Sequence, residues 1–163
     1  MKAKVLFVCL GNICRSPMAE AVFRNMVIQK GLESTIEVDS AGTGDWHIGH
    51  PPHEGTRKQL DLQGISYAGM KARQFIKQDN LAFDYIVCMD SKNKRDVQEI
   101  IGHPEEDSAG SQPVVITFMD LLPAKGIADV PDPYYSGNFD YVYELVHEGC
   151  EVLLDRVIND QKE

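Results

Sequence analysis

Cys9, Cys14 and Arg15 fall within seven positions of one another in the stretch CLGNICRS, residues 9–16. A glycine and an asparagine separate the cysteines, and Ser16 follows the arginine. These residue types suit an oxyanion. Arg15 offers a planar fork for two oxygens. Gly11 lets the backbone turn where a side chain would obstruct it. Successive backbone amides in such a loop form a nest for an anion. A thiol at the base of that cradle is stabilised as its thiolate by the same donors. Cys9 is therefore expected to have a depressed pKa and to act as a nucleophile near neutral pH. Ser16 is placed to donate to the sulfur, and Asn12 to hold a strained backbone position, because asparagine tolerates the left-handed region. Leu10 and Ile13 are expected at the rim.

The flanking elements decide whether this loop is a site. Ala3–Val8 is a continuous apolar run, the mark of a strand buried on both faces. Ser16 and Pro17 read as the N-cap and first position of a helix. Met18, Val22 and Met26 recur at i+4 and face a core, and Gly31 ends the helix. Strand, short loop and helix together form the arrangement that binds anions in open α/β sheets, with the helix N-terminus adding positive charge. A lone C-x5-R pattern is loose and compatible with a packed cysteine beside a surface arginine. Its placement between these two elements makes it specific.

Further strands are expected at Ile36–Ser40, Tyr85–Met89 and Pro113–Phe118. Further helices are expected from Pro51 and Pro52 to Leu62, from Ser91 as N-cap to Ile101, and over Phe139–Ile158. In the last helix Phe139, Val142, Val146, Cys150, Leu153 and Val157 keep the 3–4 spacing of a buried stripe. Alternation of strands and helices predicts an α/β fold: a single open parallel sheet flanked by helices on both faces, with the phosphate-binding loop between the first strand and the first helix. Length and the absence of linkers or repeats predict one domain over residues 1–163. The loops at 102–112 and 123–137 are the least regular segments.

Bulk properties exclude several functions. The 163 residues are 43% hydrophobic and 25% charged, with a net charge of -9. That balance argues against nucleic acid or an anionic membrane as partner. The apolar run at the N-terminus is too short for a signal peptide, and no stretch approaches a membrane span. Four cysteines in a chain this long do not make a disulfide framework. A cytoplasmic protein with reduced thiols is expected. The spacing of Cys9 and Cys14 suggests a reversible disulfide that protects the nucleophile from over-oxidation, with a small packed Cys14 as the plainer reading. Cys88 in an apolar strand and Cys150 on an apolar helix face read as core. His47, His50 and His53 form H-x2-H-x2-H, but two prolines interrupt the segment and no fourth ligand presents itself, so no metal is expected. The glycines at 42 and 44 lack a dinucleotide fingerprint. Glu105, Glu106 and Asp107 read as a solvated loop.

Among the 25 carboxylates, Asp132 stands out because Pro133 restricts its backbone to an extended form. From the residues alone it is either a turn initiator or a functional acid.

The stretch CLGNICRSPMAE resembles the phosphate loop of the low-molecular-weight protein tyrosine phosphatases. SAGT at 40–43, Trp46, ARQ at 72–74 and DPYY at 132–135 match the same family in order, so the likeness spans almost the whole chain. The resemblance implies a four-stranded parallel sheet, no metal or other cofactor, and a phosphocysteine intermediate on Cys9. It implies phosphate binding by Arg15, with Asp132 as general acid and then base. Trp46, Tyr134 and Tyr135 become the walls of a cleft for phosphotyrosine, with Leu10, Gly11, Asn12, Ile13, Cys14 and Ser16 as the surrounding loop. Ser40 is expected to brace Asn12. The implied partners are phosphotyrosine-containing proteins, with inorganic phosphate as product and a monomeric state. Isoleucine at position 13 argues for phosphotyrosine, since relatives acting on phosphoarginine carry threonine there. Several relatives have a histidine where this chain has Met70, so the bracing of the loop must differ. Thioredoxin-coupled arsenate reductases resemble the same loop but need two further relay cysteines. A non-catalytic anion-capture module has no need of a nucleophile paired with an acid.

Overall fold

The computed structural model describes residues 2–102 and 112–162. Four strands form one parallel sheet, β1 (Ala3–Cys9), β2 (Ile36–Gly42), β3 (Tyr85–Cys88) and β4 (Val114–Thr117), in the spatial order β2-β1-β3-β4. The helices are α1 (Arg15–Gln29), α2 (Glu54–Leu62), α3 (Asp79–Ala82), α4 (Ser91–Ile101), α5 (Pro133–Ser136) and α6 (Phe139–Gln161). Two short 3-10 turns, Phe118–Leu121 and Pro123–Lys125, follow β4. The expected α/β architecture is present. The acidic residues Glu105, Glu106 and Asp107 lie outside the described residues.

The apolar run of β1 is divided between two cores by strand alternation. Val5, Phe7 and Cys9 point to the side covered by α1 and α6, where Phe7 meets the Phe23 ring edge-on at 5.7 Å. Leu6 and Val8 point the other way, onto Ile86, Cys88, Phe75 and Val97 of α4. A strand buried on both faces has no polar side to present, and this accounts for the apolar run from Val5 to Cys9, with Lys4 at the partly exposed start of the strand. The stripe expected on α6 is buried at Val142, Val146, Cys150, Leu153 and Val157, joined by Leu145 and Leu154.

Register gathers the ends of three strands. Cys9 pairs with Gly42 across β1 and β2, and Val8 with Cys88 across β1 and β3. The segments leaving these strands therefore share one edge of the sheet, the carboxyl edge where open α/β folds bind ligands. Val130 N–H donates to Met89 O at 2.9 Å and ties the segment before α5 to the same edge.

Three helix starts differ from expectation. α1 begins at Arg15 with Cys14 as N-cap. Ser16 is not the cap, because its hydroxyl is engaged by the Cys9 sulfur at 2.9 Å. α4 is capped by Asp90, not Ser91: the Asp90 carboxylate accepts from Asn93 N at 2.7 Å. α2 starts at Glu54 behind His53, whose Nδ1 accepts from Gly55 N at 3.0 Å. Among the described residues no helix is long and apolar enough to cross a membrane.

Candidate active site

The loop between β1 and α1 is held by its carbonyls. Cys9 O and Leu10 O accept from Thr43 N and Gly44 N at 2.9 Å each, and Ile13 O accepts from His53 N at 2.7 Å. Cys14 O accepts from Thr56 Oγ1 at 3.0 Å. Asn12 N–H donates to Cys9 Sγ at 3.2 Å. Asn12 is the one non-glycine residue with a positive φ among those described, at 57°, as its type allows. Gly42 makes room for this turn. A Cβ there would lie 2.7 Å from Leu10 O and 3.1 Å from both Asn12 N and Asn12 Cβ.

Asn12 and Ser16 lie beneath the loop, 3% and 0% exposed, instead of on its surface. Asn12 Nδ2 donates to Ser16 Oγ at 2.7 Å and to Ser40 Oγ at 2.9 Å, the brace expected of Ser40. Asn12 Oδ1 accepts from Arg73 N at 3.0 Å, so the ARQ segment contributes a backbone amide.

Arg15 is 2% exposed. Its Nη1 donates to Asp90 Oδ2 and to Val130 O, both at 2.9 Å. Its Nη2 lies 3.5 Å from Asp132 Oδ2. Burial opposes the charge, yet Cys9, Asp132 and the hydrogen bond to Asp90 hold its pKa above the ordinary guanidinium value. Asp132 has the extended backbone that Pro133 demands, and its Oδ1 accepts from Tyr134 N at 3.1 Å. Asp132 thus caps a turn, as a turn initiator does, and also lines the cleft.

The cleft has a volume of about 340 Å³. Cys9, Leu10, Gly11, Ile13, Cys14 and Arg15 of the loop line it together with Trp46, His47, Asp132, Tyr134 and Tyr135. Tyr134 and Tyr135 meet edge to face at 5.2 Å. The apolar walls suit a flat ring, while the floor suits a dianion.

All four cysteines are free thiols. Burial, then the neighbouring Cys9 and Asp132, push the Cys14 thiol up to about 12. Burial likewise raises Cys88 to about 12 and displaces Cys150 upward. Both sulfurs are fully enclosed in apolar surroundings, as expected of core residues.

Sequence reasoning missed Asp90, the Val130 carbonyl and His47. Asp90 lies immediately past β3, and its one available signal was the aspartate at the carboxyl end of a buried strand. The Val130 carbonyl left no side-chain signal. His47 lines the cleft next to Trp46, and its ring lies 5.7 Å from that of His50 and 6.3 Å from that of Tyr134. Among the described residues no group of three or more His, Cys, Asp or Glu side chains is placed to hold a metal ion.

Comparison with known proteins agrees with this geometry. Residues 4–163 match the family described as low molecular weight phosphotyrosine protein phosphatase. The chain is 50% identical over 158 residues to YfkJ, a low molecular weight protein-tyrosine-phosphatase of Bacillus subtilis, covering 97% of each chain. It superposes on the crystal structure of the Bacillus subtilis protein with a TM-score of 0.90, at 48% identity over 98% of this chain and 97% of that one. It also superposes on a Drosophila arginine phosphatase with a TM-score of 0.83, at 31% identity over 96% of this chain and 98% of that one. The chain belongs to the low molecular weight phosphotyrosine protein phosphatase family.

Proposed function

We propose that residues 1–163 form one catalytic domain that hydrolyses phosphotyrosine in proteins through a phosphocysteine on Cys9. The observation that carries this is the meeting of three groups in one cleft. Cys9 Sγ accepts from Asn12 N–H and lies 2.9 Å from Ser16 Oγ, Arg15 lines the same cleft, and Asp132 is within 3.5 Å of Arg15. Cys9 Sγ attacks phosphorus in line while Arg15 and the loop amides hold the equatorial oxygens and take up their growing charge. The S–P bond forms as the P–O bond to the phenol breaks. Asp132 gives its proton to the leaving phenolate oxygen. The same carboxylate then takes a proton from water, whose oxygen attacks phosphorus. The S–P bond breaks, inorganic phosphate leaves, and the Cys9 thiolate returns. No metal or cofactor enters these steps.

Asp90 and Val130 O, by occupying Arg15 Nη1, orient the rest of the guanidinium toward the substrate. Tyr134, Tyr135 and Trp46 flank the phenyl ring. Ile13 on the floor supports phosphotyrosine over phosphoarginine, a distinction that the shared fold does not make. The same reading takes the protein as a cytoplasmic monomer whose Cys14 is the redox partner of Cys9.

Hydrolysis of para-nitrophenyl phosphate and of a phosphotyrosine peptide in excess EDTA tests the proposal. Turnover by the parent, lost in Cys9→Ser, is the expected result. Phosphate binding without turnover by a folded, reduced parent makes the protein an anion-capture module instead. Faster release of phosphate from phosphoarginine than from phosphotyrosine overturns the substrate assignment.

A further inference from the structure

His53 takes no part in the chemistry above, yet it touches both sides of the site. Its backbone N–H donates to Ile13 O of the loop at 2.7 Å, and its carbonyl accepts from Arg57 N at 2.9 Å. Its Nδ1 accepts from Gly55 N at 3.0 Å, which fixes the rotation of the ring and leaves the hydrogen of the neutral imidazole on Nε2. One face of the ring stacks on Phe139, the first residue of α6, with centroids 5.0 Å apart and planes 17° apart. Gly55 leaves room for that stack, since a Cβ there would lie 2.5 Å from the Phe139 ring. Held by its backbone, its Nδ1 and one face, the His53 ring has a single orientation. It meets the Tyr134 ring edge to face, at 5.9 Å and 75°.

Tyr134 has little else to fix it. It belongs to α5, four residues long and too short to hold itself, with Pro133 as its one buried residue. Among the described residues, every hydrogen bond made by residues 133–137 ends within 132–139. Lateral support comes through rings. Besides His53, Tyr134 meets His47 at 6.3 Å and Tyr135 at 5.2 Å, distances at which aromatic pairs attract beyond the area they bury. Tyr135 moves with the same short helix. Of the three neighbours, His53 alone among the described residues is anchored by a side-chain hydrogen bond.

We propose that His53 is a positioning residue whose fixed ring seats Tyr134 and, through the Tyr134 N–H on Asp132 Oδ1, sets the reach of the acid over the loop. Its backbone holds Ile13 O, so one residue spaces the loop from the acid. The plainer role is N-cap of α2, which a short polar side chain performs as well. The inference rests on Cys9 as nucleophile and Asp132 as acid.

Two variants separate ring from cap. His53→Asn keeps an acceptor for Gly55 N–H and removes the ring; His53→Phe keeps a ring and removes the acceptor. The measurement is kcat/KM for phenyl phosphate and for para-nitrophenyl phosphate, with thermal unfolding alongside. This constant covers the steps up to release of the phenol, and the nitrophenolate needs less help from a proton. His53→Asn should unfold close to the parent and lose about tenfold on phenyl phosphate but about threefold or less on the nitrophenyl ester. The ratio of the two losses separates the acid from any weaker binding of the ring. His53→Phe should melt lower yet stay within about twofold of the parent on both esters. In an Asp132→Asn background His53→Asn should cost less than about twofold, because the acid it positions is already lost. A folded His53→Asn variant that matches the parent on phenyl phosphate, equal losses on the two esters, or losses at 53 and 132 that multiply overturn the proposal and leave the phosphatase reading standing. So does a His53→Phe variant that loses activity on phenyl phosphate, and that variant decides the matter if His53→Asn does not fold. A folded, reduced parent that hydrolyses neither ester overturns both.

Discussion

Residues 9–16 and residues 129–137 face each other across Arg15, and they are held in opposite ways. In the first segment Asn12, Arg15 and Ser16 are 3%, 2% and 0% exposed, and each side chain has partners on other elements. In the second, Tyr134 and Tyr135 are 51% and 77% exposed, and Asp132 leans on its own turn through Tyr134 N. Fewer ties fix that segment to the fold. Val130 N–H and O bond to Met89 O and Arg15, and Asp129 Oδ1 accepts from Ser91 N and Ser91 Oγ at 2.8 Å each. On the proposed mechanism, the difference follows from two tasks. A cradle for a dianion works by donors that need no rearrangement when charge develops. An acid that must reach a substrate oxygen and later a water works from an open wall.

Breaking the wall should cost rate without stability. Asp132→Asn should lower kcat on phosphotyrosine by about 10²- to 10⁴-fold with little change in KM. The loss should shrink for phosphate esters whose leaving group needs no proton. Thermal unfolding should stay close to that of the parent, since Asp132 is half-buried at the cleft edge and its cap hydrogen bond is retained by asparagine. A large fall in melting temperature would place Asp132 in the scaffold.

Breaking the cradle should cost both. Asn12→Ala removes two buried hydrogen bonds and one partly buried one, and puts alanine at φ 57°. The expected loss of unfolding free energy is about 3 kcal/mol or more, read from urea midpoints, together with a fall in kcat. Retained stability would mean that water or neighbouring groups replace the asparagine amide.

A smaller, conditional effect sharpens the comparison inside the cradle. Cys14 belongs to the rigid segment but touches the cleft, and its thiol pKa is pushed up to about 12. Its thiolate fraction is therefore small at neutral pH and grows about tenfold per pH unit as that value is approached. If Cys14 closes a disulfide on oxidised Cys9, thiol-reversible recovery after peroxide should improve from pH 7 to pH 9, and Cys14→Ser should abolish the trend. Equal recovery by the serine variant would leave Cys14 as a packed residue.

The parts of this arrangement that sequence reveals are those written locally. Cys9, Arg15 and the strand and helix around them lie within one short run, so their spacing alone places them on a common turn. The parallel sheet followed from unbroken apolar runs that only burial on two faces explains. Ser16 and Ser91 were each expected as helix caps because a hydroxyl at a helix start has that as its commonest use. Cys9 claims Ser16, and an aspartate one position earlier displaces Ser91. Asp90 and the Val130 carbonyl depend on strand register and helix packing across long separations. The sequence marks Asp90 only as an aspartate past a buried strand.

Gly42 sets how this protein can change over generations. Its missing side chain is the space that the Leu10 carbonyl and Asn12 occupy. The aromatic rim borders solvent, so selection can retune substrate preference there by single replacements, each tolerated while the next arises. Position 42 offers no such path, since any larger residue displaces the floor of the cleft before it confers anything. Heritable variation in specificity is thereby channelled to the walls, and the floor stays fixed without ever touching substrate at that glycine.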